Sequence, residues 1–122
     1  MNTRAKGRRA ELLVKKELER QGWIVQLAPT SRKWQLNQDF YGLWDGIAKN
    51  SDKQTTWFQV KSHKPVKKLF QAYMSWEQQY CAIGTESVVV YVVEKNKIMQ
   101  HTTFNTQDGI EWISYLFKTR KE

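Results

Sequence analysis

A single cysteine among 122 residues removes two classes of protein at once. One thiol can form neither a disulfide framework nor a Cys-rich zinc site. Cys81 lies in an apolar stretch that reads as helical, so it is expected to be a small buried hydrophobe rather than a reactive thiol. Long apolar runs are missing too: none approaches the ~20 residues of a transmembrane helix. The opening segment Met1-Asn2-Thr3-Arg4-Ala5-Lys6-Gly7-Arg8-Arg9 has no apolar h-region and does not read as a signal peptide, so a cytoplasmic, intracellular protein is expected. His63 and His101 have no further His or Cys at ligand spacing, which argues against zinc. Both read as surface or strand-end histidines. No repeat, linker or low-complexity tract divides the chain, and its length suits one domain, 1–122, with one sheet-plus-helix core.

Positive charge and aromatic rings are abundant instead. The formal net charge of +8 favours a polyanionic partner through phosphate contacts and counterion release. Six tryptophans within 13% aromatic content is a high share. Some must fill the core, because the aliphatic supply is modest, while one or two are free to stack on exposed bases or ribose.

Hydrophobic periodicity orders the elements as α-β-β-β-α-β-β-α. Ala10, Leu13, Val14 and Leu18 recur at helical spacing over Arg8 to Gln21, with Gly22 as the stop. Trp23 to Leu27 reads as a strand, Thr30 to Gln38 as an exposed polar and basic loop, and Leu43 to Lys49 as a second strand. Asn50-Ser51-Asp52-Lys53 supplies turn chemistry before a third strand over Thr55 to Ser62, which predicts a hairpin. Lys67 to Ile83 reads as a second helix closed by Gly84. Ser87 to Val93 has the dense apolar character of a central strand. Lys97 to Phe104 is expected to be a strand. Ile110, Ile113, Leu116 and Phe117 suggest a last helix capped by Thr106 or Asp108.

The segment Trp57-Phe58-Gln59-Val60-Lys61 carries the chemistry. The period of two puts Trp57, Gln59 and Lys61 on one strand face. Asp45, upstream in Asp45-Gly46-Ile47-Ala48, adds a carboxylate that opens an apolar strand. Phosphodiester hydrolysis needs a metal to polarise the phosphoryl oxygen and to generate hydroxide, and a fixed positive charge for the pentacovalent state. Mg²⁺ prefers oxygen ligands and keeps several waters, so Asp45 and the Gln59 amide oxygen suit it. Lys61 then orients or deprotonates water. Glu11, at the edge of the first helix's apolar stripe, points toward the same place and restores the charge that neutral Gln59 lacks. Asp39 is a competing carboxylate. Each residue also has a plain reading: Asp45 as a turn or cap residue, Gln59 as a half-buried strand amide, Lys61 as a solvated strand end, and Glu11 as an exposed acid paired with Lys15.

The stretches Gly7-Arg8-Arg9-Ala10-Glu11, Ile24-Val25-Gln26-Leu27-Ala28-Pro29-Thr30-Ser31, Asp45-Gly46-Ile47-Ala48 and Gln59-Val60-Lys61-Ser62 resemble the PD-(D/E)XK nuclease superfamily, and within it the archaeal-type Holliday junction resolvases. The resemblance covers roughly the first half of the chain. It implies an α/β fold with a restriction-endonuclease-like core: a mixed central β-sheet flanked by helices in αβββαβ order, here followed by a C-terminal strand and helix. It also implies a Mg²⁺-dependent endodeoxyribonuclease, with Mn²⁺ as a substitute, that acts on branched DNA in recombination or repair as a homodimer. Glu11, Asp45, Gln59 and Lys61 then take the catalytic and metal roles, and Ser31 lies in a loop near DNA. Two departures stand out: Gln59 occupies the place where resolvases usually carry Glu, and Trp44 rather than proline precedes Asp45.

Basic residues border every proposed site segment. Arg8 and Arg9 precede Glu11, Arg32 and Lys33 follow Ser31, and Lys64 follows Lys61. They are expected to track a DNA backbone rather than read bases. Two other functions remain open on these residues. One is a restriction-like or repair endonuclease acting on ordinary duplex; the other is a catalytically inactive, basic DNA-binding module.

Overall fold

The computed structural model describes residues 3–29 and 39–120. Helix α1 (Thr3–Arg20) is followed by strands β1 (Ile24–Leu27), β2 (Gly46–Lys49) and β3 (Thr55–Lys61). Helix α2 (Lys67–Tyr80) then leads to β4 (Glu86–Val93), β5 (Lys97–Thr106) and β6 (Gly109–Thr119). The six strands form one mixed sheet in the order β1-β2-β3-β4-β5-β6. Every neighbouring pair is antiparallel except β3 and β4, which α2 joins as a parallel pair. No helix among the described residues is long and apolar enough to cross a membrane.

The first helix ends where its glycine requires. Gly22 has φ +98°, and its N–H donates to the Glu19 carbonyl while the Trp23 N–H donates to the Leu18 carbonyl. That pair of bonds is a Schellman closure, which needs a left-handed residue at this position. Val14 and Leu18 of α1 pack with Val25, Leu27, Ala48, Phe58, Val89 and Tyr91 on one face of the sheet. On the other face, Phe70 and Tyr73 of α2 pack with Trp44, Val88, Val90 and Val92. Strand β4 is therefore buried on both sides, as its unbroken apolar run predicts. The hairpin between β2 and β3 also forms, its turn held by the Asn50 side chain, which accepts the Asp52 and Gln54 N–H groups.

The C-terminal element departs from expectation. Residues 109–119 form a strand that completes a long hairpin with β5, not a helix. Spacing at Ile110, Ile113, Leu116 and Phe117 fits helical periodicity, but the segment is dense in β-branched and aromatic residues. Its rings also serve opposite sheet faces: Trp112 packs with the α2-side cluster and Phe117 with the α1-side cluster. Thr106 and Asp108, read as helix caps, instead build the hairpin turn. The Thr106 hydroxyl accepts the Asp108 N–H and donates to the Gly109 carbonyl, a threonine-held turn that closes the Gln107-Asp108 loop between Thr106 and Gly109. Helix α2 ends at Tyr80 rather than Ile83, because the Glu86 N–H donates to the Ala82 carbonyl and pulls the chain into β4. Cys81 follows α2, half-buried against the α2-side core, and burial pushes its thiol up to about 12. His101 is buried on β5 with its Nδ1 2.7 Å from the Ser114 hydroxyl, not at the surface.

One buried charge ties the two ends of the fold together. Glu17 is 2% exposed and accepts from Arg20 and Gln21 on its own helix, while Lys118 of β6 lies 3.3 Å away. These partners, the Arg20 guanidinium first, hold its carboxyl down at about 2, below an ordinary value of 4.5. A depressed acid stabilises the fold above pH 4.5 and loses that contribution as pH falls toward 2. Glu17→Gln is expected to cost ~1–3 kcal/mol at pH 7 and to flatten the acid limb of stability between pH 4.5 and 2. Urea denaturation across that range reads both effects.

Candidate functional site

The site forms where β2 and β3 part company. A residue inside a regular strand turns its N–H and C=O toward the same neighbour. Asp45, just before β2, does not: its N–H donates to Phe58 of β3, while its carbonyl accepts the Ala28 N–H beside β1. The backbone is bent there, and β2 pairing with β3 begins only at Gly46 opposite Phe58. The Val60 N–H, next along that edge of β3, would be left without a strand partner. Asp45 Oδ2 accepts it at 2.7 Å. Gly46 makes the close approach possible, since a Cβ there would lie 2.2 Å from the Phe58 ring.

Asp45 is 8% exposed. Burial pushes its carboxyl up from 3.8 to about 7, partly offset by the Val60 N–H. The charges of Glu11 and Asp39 raise it further, and the Lys61 ammonium lowers it. Glu11, half-buried on α1, is likewise raised, first by burial and also by the Asp39 charge. The structure thus brings Glu11, Asp39, Asp45 and Lys61 into one electrostatic neighbourhood. Asp39, read as a rival to Asp45, stands with it rather than instead of it.

Gln59 is buried, 7% exposed, and its Nε2 donates to the Leu43 carbonyl. That bond fixes which end of the amide is free. The donor is spent on the loop before Asp45, and the oxygen carries no hydrogen bond among the described residues. Glu at this position would set a carboxylate against the Leu43 carbonyl, beside an Asp45 already burdened by two other acids. The neutral amide relieves that conflict and keeps an oxygen donor.

Two residues take roles that the sequence did not suggest for them. Arg8 Nη1 donates to Glu11 Oε1 at 3.1 Å and to the Ala28 carbonyl at 3.2 Å. It therefore ties Glu11 to the end of β1 instead of lying wholly open for phosphate. The i, i+3 spacing was the available signal. Glu11 does not pair with Lys15, which bonds Glu19 instead. Tyr73, inside the segment expected to be the second helix, has its hydroxyl pKa raised by burial and then by the charges of Asp45 and Asp39, so it underlies the site from α2. Nothing in one sequence shows which way its hydroxyl points.

Lys61 is half-buried at the end of β3, and Arg9, His63 and Lys64 are exposed. Ser31, Arg32 and Lys33 lie outside the described residues. Among the described residues, no three His, Cys, Asp or Glu side chains are grouped to hold a metal ion. The available donors are the carboxylates of Asp45, Glu11 and Asp39 and the Gln59 amide oxygen. All are hard oxygens, which fits a cation that keeps most of its waters and suits neither zinc nor copper. Comparison with protein-family models, curated proteins and solved structures returns no match. The functional reading therefore rests on the residues themselves.

The electrostatics give a stability signature. A raised acid adds no penalty below pH 3.8, an increasing one toward pH 7, and its full penalty above that. In EDTA, Asp45→Asn is expected to raise the melting temperature at pH 8 by several degrees and to leave it nearly unchanged near pH 4. Gln59→Glu is expected to lower the pH 8 melting temperature in EDTA, at a cost of ~1–3 kcal/mol. Added Mg²⁺ should then raise that variant's melting temperature more than the wild type's, because a bound cation stabilises only the folded state.

Proposed function

We propose that this chain is a Mg²⁺-dependent DNA endonuclease of the PD-(D/E)XK type, with a Holliday junction resolvase as its specific form. The observation that carries the reading is Asp45: a buried carboxyl raised to about 7, with two further acids and a lysine acting on it. Strongly perturbed groups that share one neighbourhood are characteristic of functional sites. Mutual repulsion among acids is also what a divalent cation relieves. The element order α1-β1-β2-β3-α2-β4 agrees with the αβββαβ core of that superfamily.

In this reading Asp45, Glu11 and the Gln59 oxygen hold the cation, with Asp39 within electrostatic reach. The cation would supply Lewis-acid polarisation of a phosphoryl oxygen and a water acidified toward neutrality. Lys61 would orient the attacking water and offset charge that develops on the phosphoryl group. Arg8 keeps Glu11 in place through its second bond to Ala28. Exposed Lys64, Lys67 and Lys68 follow Lys61 and provide a backbone track. A resolvase cuts two symmetry-related strands, so it requires two copies. The outer edge of β6, 11 residues long with exposed Tyr115 and Leu116, offers a place for a second copy to pair.

The test is cleavage of a labelled four-way junction and its matching linear duplex, in Mg²⁺ and in EDTA. Paired symmetric nicks on the junction alone, abolished by EDTA, are the expected result. Lys61→Ala should lower the rate by ~10²–10⁴-fold and leave junction affinity within a few-fold. Cutting of both substrates would replace the resolvase with a general nuclease, and binding without cutting would leave a DNA-binding module.

A further inference from the structure

The segment from Asp39 to Asp45 carries more than carboxylates. Its tip is Tyr41, a non-glycine residue at φ +55° followed by Gly42 at +71°. The turn closes through the Gly42 N–H to the Asp39 carbonyl and paired bonds between Phe40 and Trp44. A left-handed tyrosine is strained, and strain of this kind persists where surrounding structure enforces it and function uses it. Burial does not compensate here, because Tyr41 is 75% exposed.

The ring is nevertheless placed, not loose. Its centroid lies 5.6 Å from that of Trp57 and 5.9 Å from that of Trp76. Trp57 and Trp76 in turn contact each other at 5.3 Å, and Trp76 contacts the exposed Tyr80 at 5.4 Å. The turn therefore presents an aromatic face to solvent, backed by rigid indoles from β3 and α2. Trp57 shares its strand face with Gln59 and Lys61, two and four positions on, or ~7 and ~13 Å at strand rise. Exposed Lys64, Lys67 and Lys68 continue beyond Lys61. Rings beside a cationic track are the two parts of a single-strand binding surface: stacking for the bases and charge for the phosphates.

We propose that Tyr41 is the stacking platform for an unpaired base of the DNA strand that enters the candidate site. The class of substrate is then DNA with unpaired or unstacked nucleotides beside the phosphate presented to Asp45 and Lys61, as at a gap, flap or branch point. Intact duplex keeps its bases stacked inside and offers the ring nothing. This rests on the nuclease reading for the strand's destination, but the stacking itself needs no catalysis.

Binding without divalent cation tests it. Anisotropy is measured in EDTA with a labelled duplex that contains a short single-stranded gap, and with the fully paired duplex of the same sequence. Wild type is expected to prefer the gapped DNA, with a change in tryptophan emission as the base stacks against the ring that contacts Trp57 and Trp76. Tyr41→Ala should weaken gapped binding about 5- to 100-fold and leave duplex binding within about twofold, while Tyr41→Phe stays near wild type. Tyr41→Asn keeps a residue that tolerates left-handed backbone and should match Tyr41→Ala, which separates loss of the ring from loss of the turn. Equal wild-type affinity for the two DNAs, or an equal loss on both in the variants, overturns the proposal. A protein that cuts nothing in Mg²⁺ would fail the cleavage test and still pass this one.

Discussion

Asp45 is the constraint on which the rest of this structure depends. Through its N–H, carbonyl and carboxylate it bonds to Phe58, Ala28 and Val60, so one residue joins β1 and β3 at the point where β2 begins. A serine or asparagine could cap the Val60 N–H at less electrostatic cost. The buried carboxylate is a costly choice for that structural role alone. Its neighbours confirm the direction of the compromise, since Glu11 and Asp39 both make it harder to ionise. Stability is surrendered locally, and the core absorbs the loss through fully buried Trp44, Phe58, Val88 and Val90.

Gln59 belongs to the same compromise. Its bond to the Leu43 carbonyl positions the loop that ends in Trp44 and Asp45, so the amide braces the loop and leaves its oxygen free among the described residues. A carboxylate could not serve both ends. Charge therefore enters the site from α1 instead, through Glu11, which Arg8 ties back to the end of β1.

Much of this was legible in the sequence wherever one periodicity had no rival. Val14 and Leu18 marked the buried face of α1, Gly22 its stop, and the valine run of β4 the centre of the sheet. Asp45 and Lys61 stood out by type and spacing, and the fold brings their charges within reach of each other. β6 was misread because Ile110, Ile113 and Leu116 satisfy a helical period while the strand buries rings on both faces, a pattern with no simple alternation. The buried settings of His101 and Glu17 were hidden with it. Their partners, Ser114 and Lys118, come from β6, the segment whose periodicity reads as a helix. The contact of Tyr41 with Trp57 and Trp76 was hidden too, because it depends on a left-handed backbone that no single side chain announces.

The lone parallel pair in the sheet has a consequence for how the protein is made. Glu11, Asp39, Asp45, Gln59 and Lys61 all precede α2, yet β3 is flanked on its far side by β4, which arrives only after the α2 crossover. On the ribosome, β1 to β3 can form as a meander of local hairpins, but the edge of β3 stays open until residue 93 has emerged. Without β4 and α2 there is no apolar cover over Trp44, and the bend at Asp45 is left to its own bonds with Ala28, Phe58 and Val60. The burial that raises the Asp45 carboxyl would be incomplete in a partly synthesised chain. Completion of the site thus waits for β4, although its acids precede that strand in the chain.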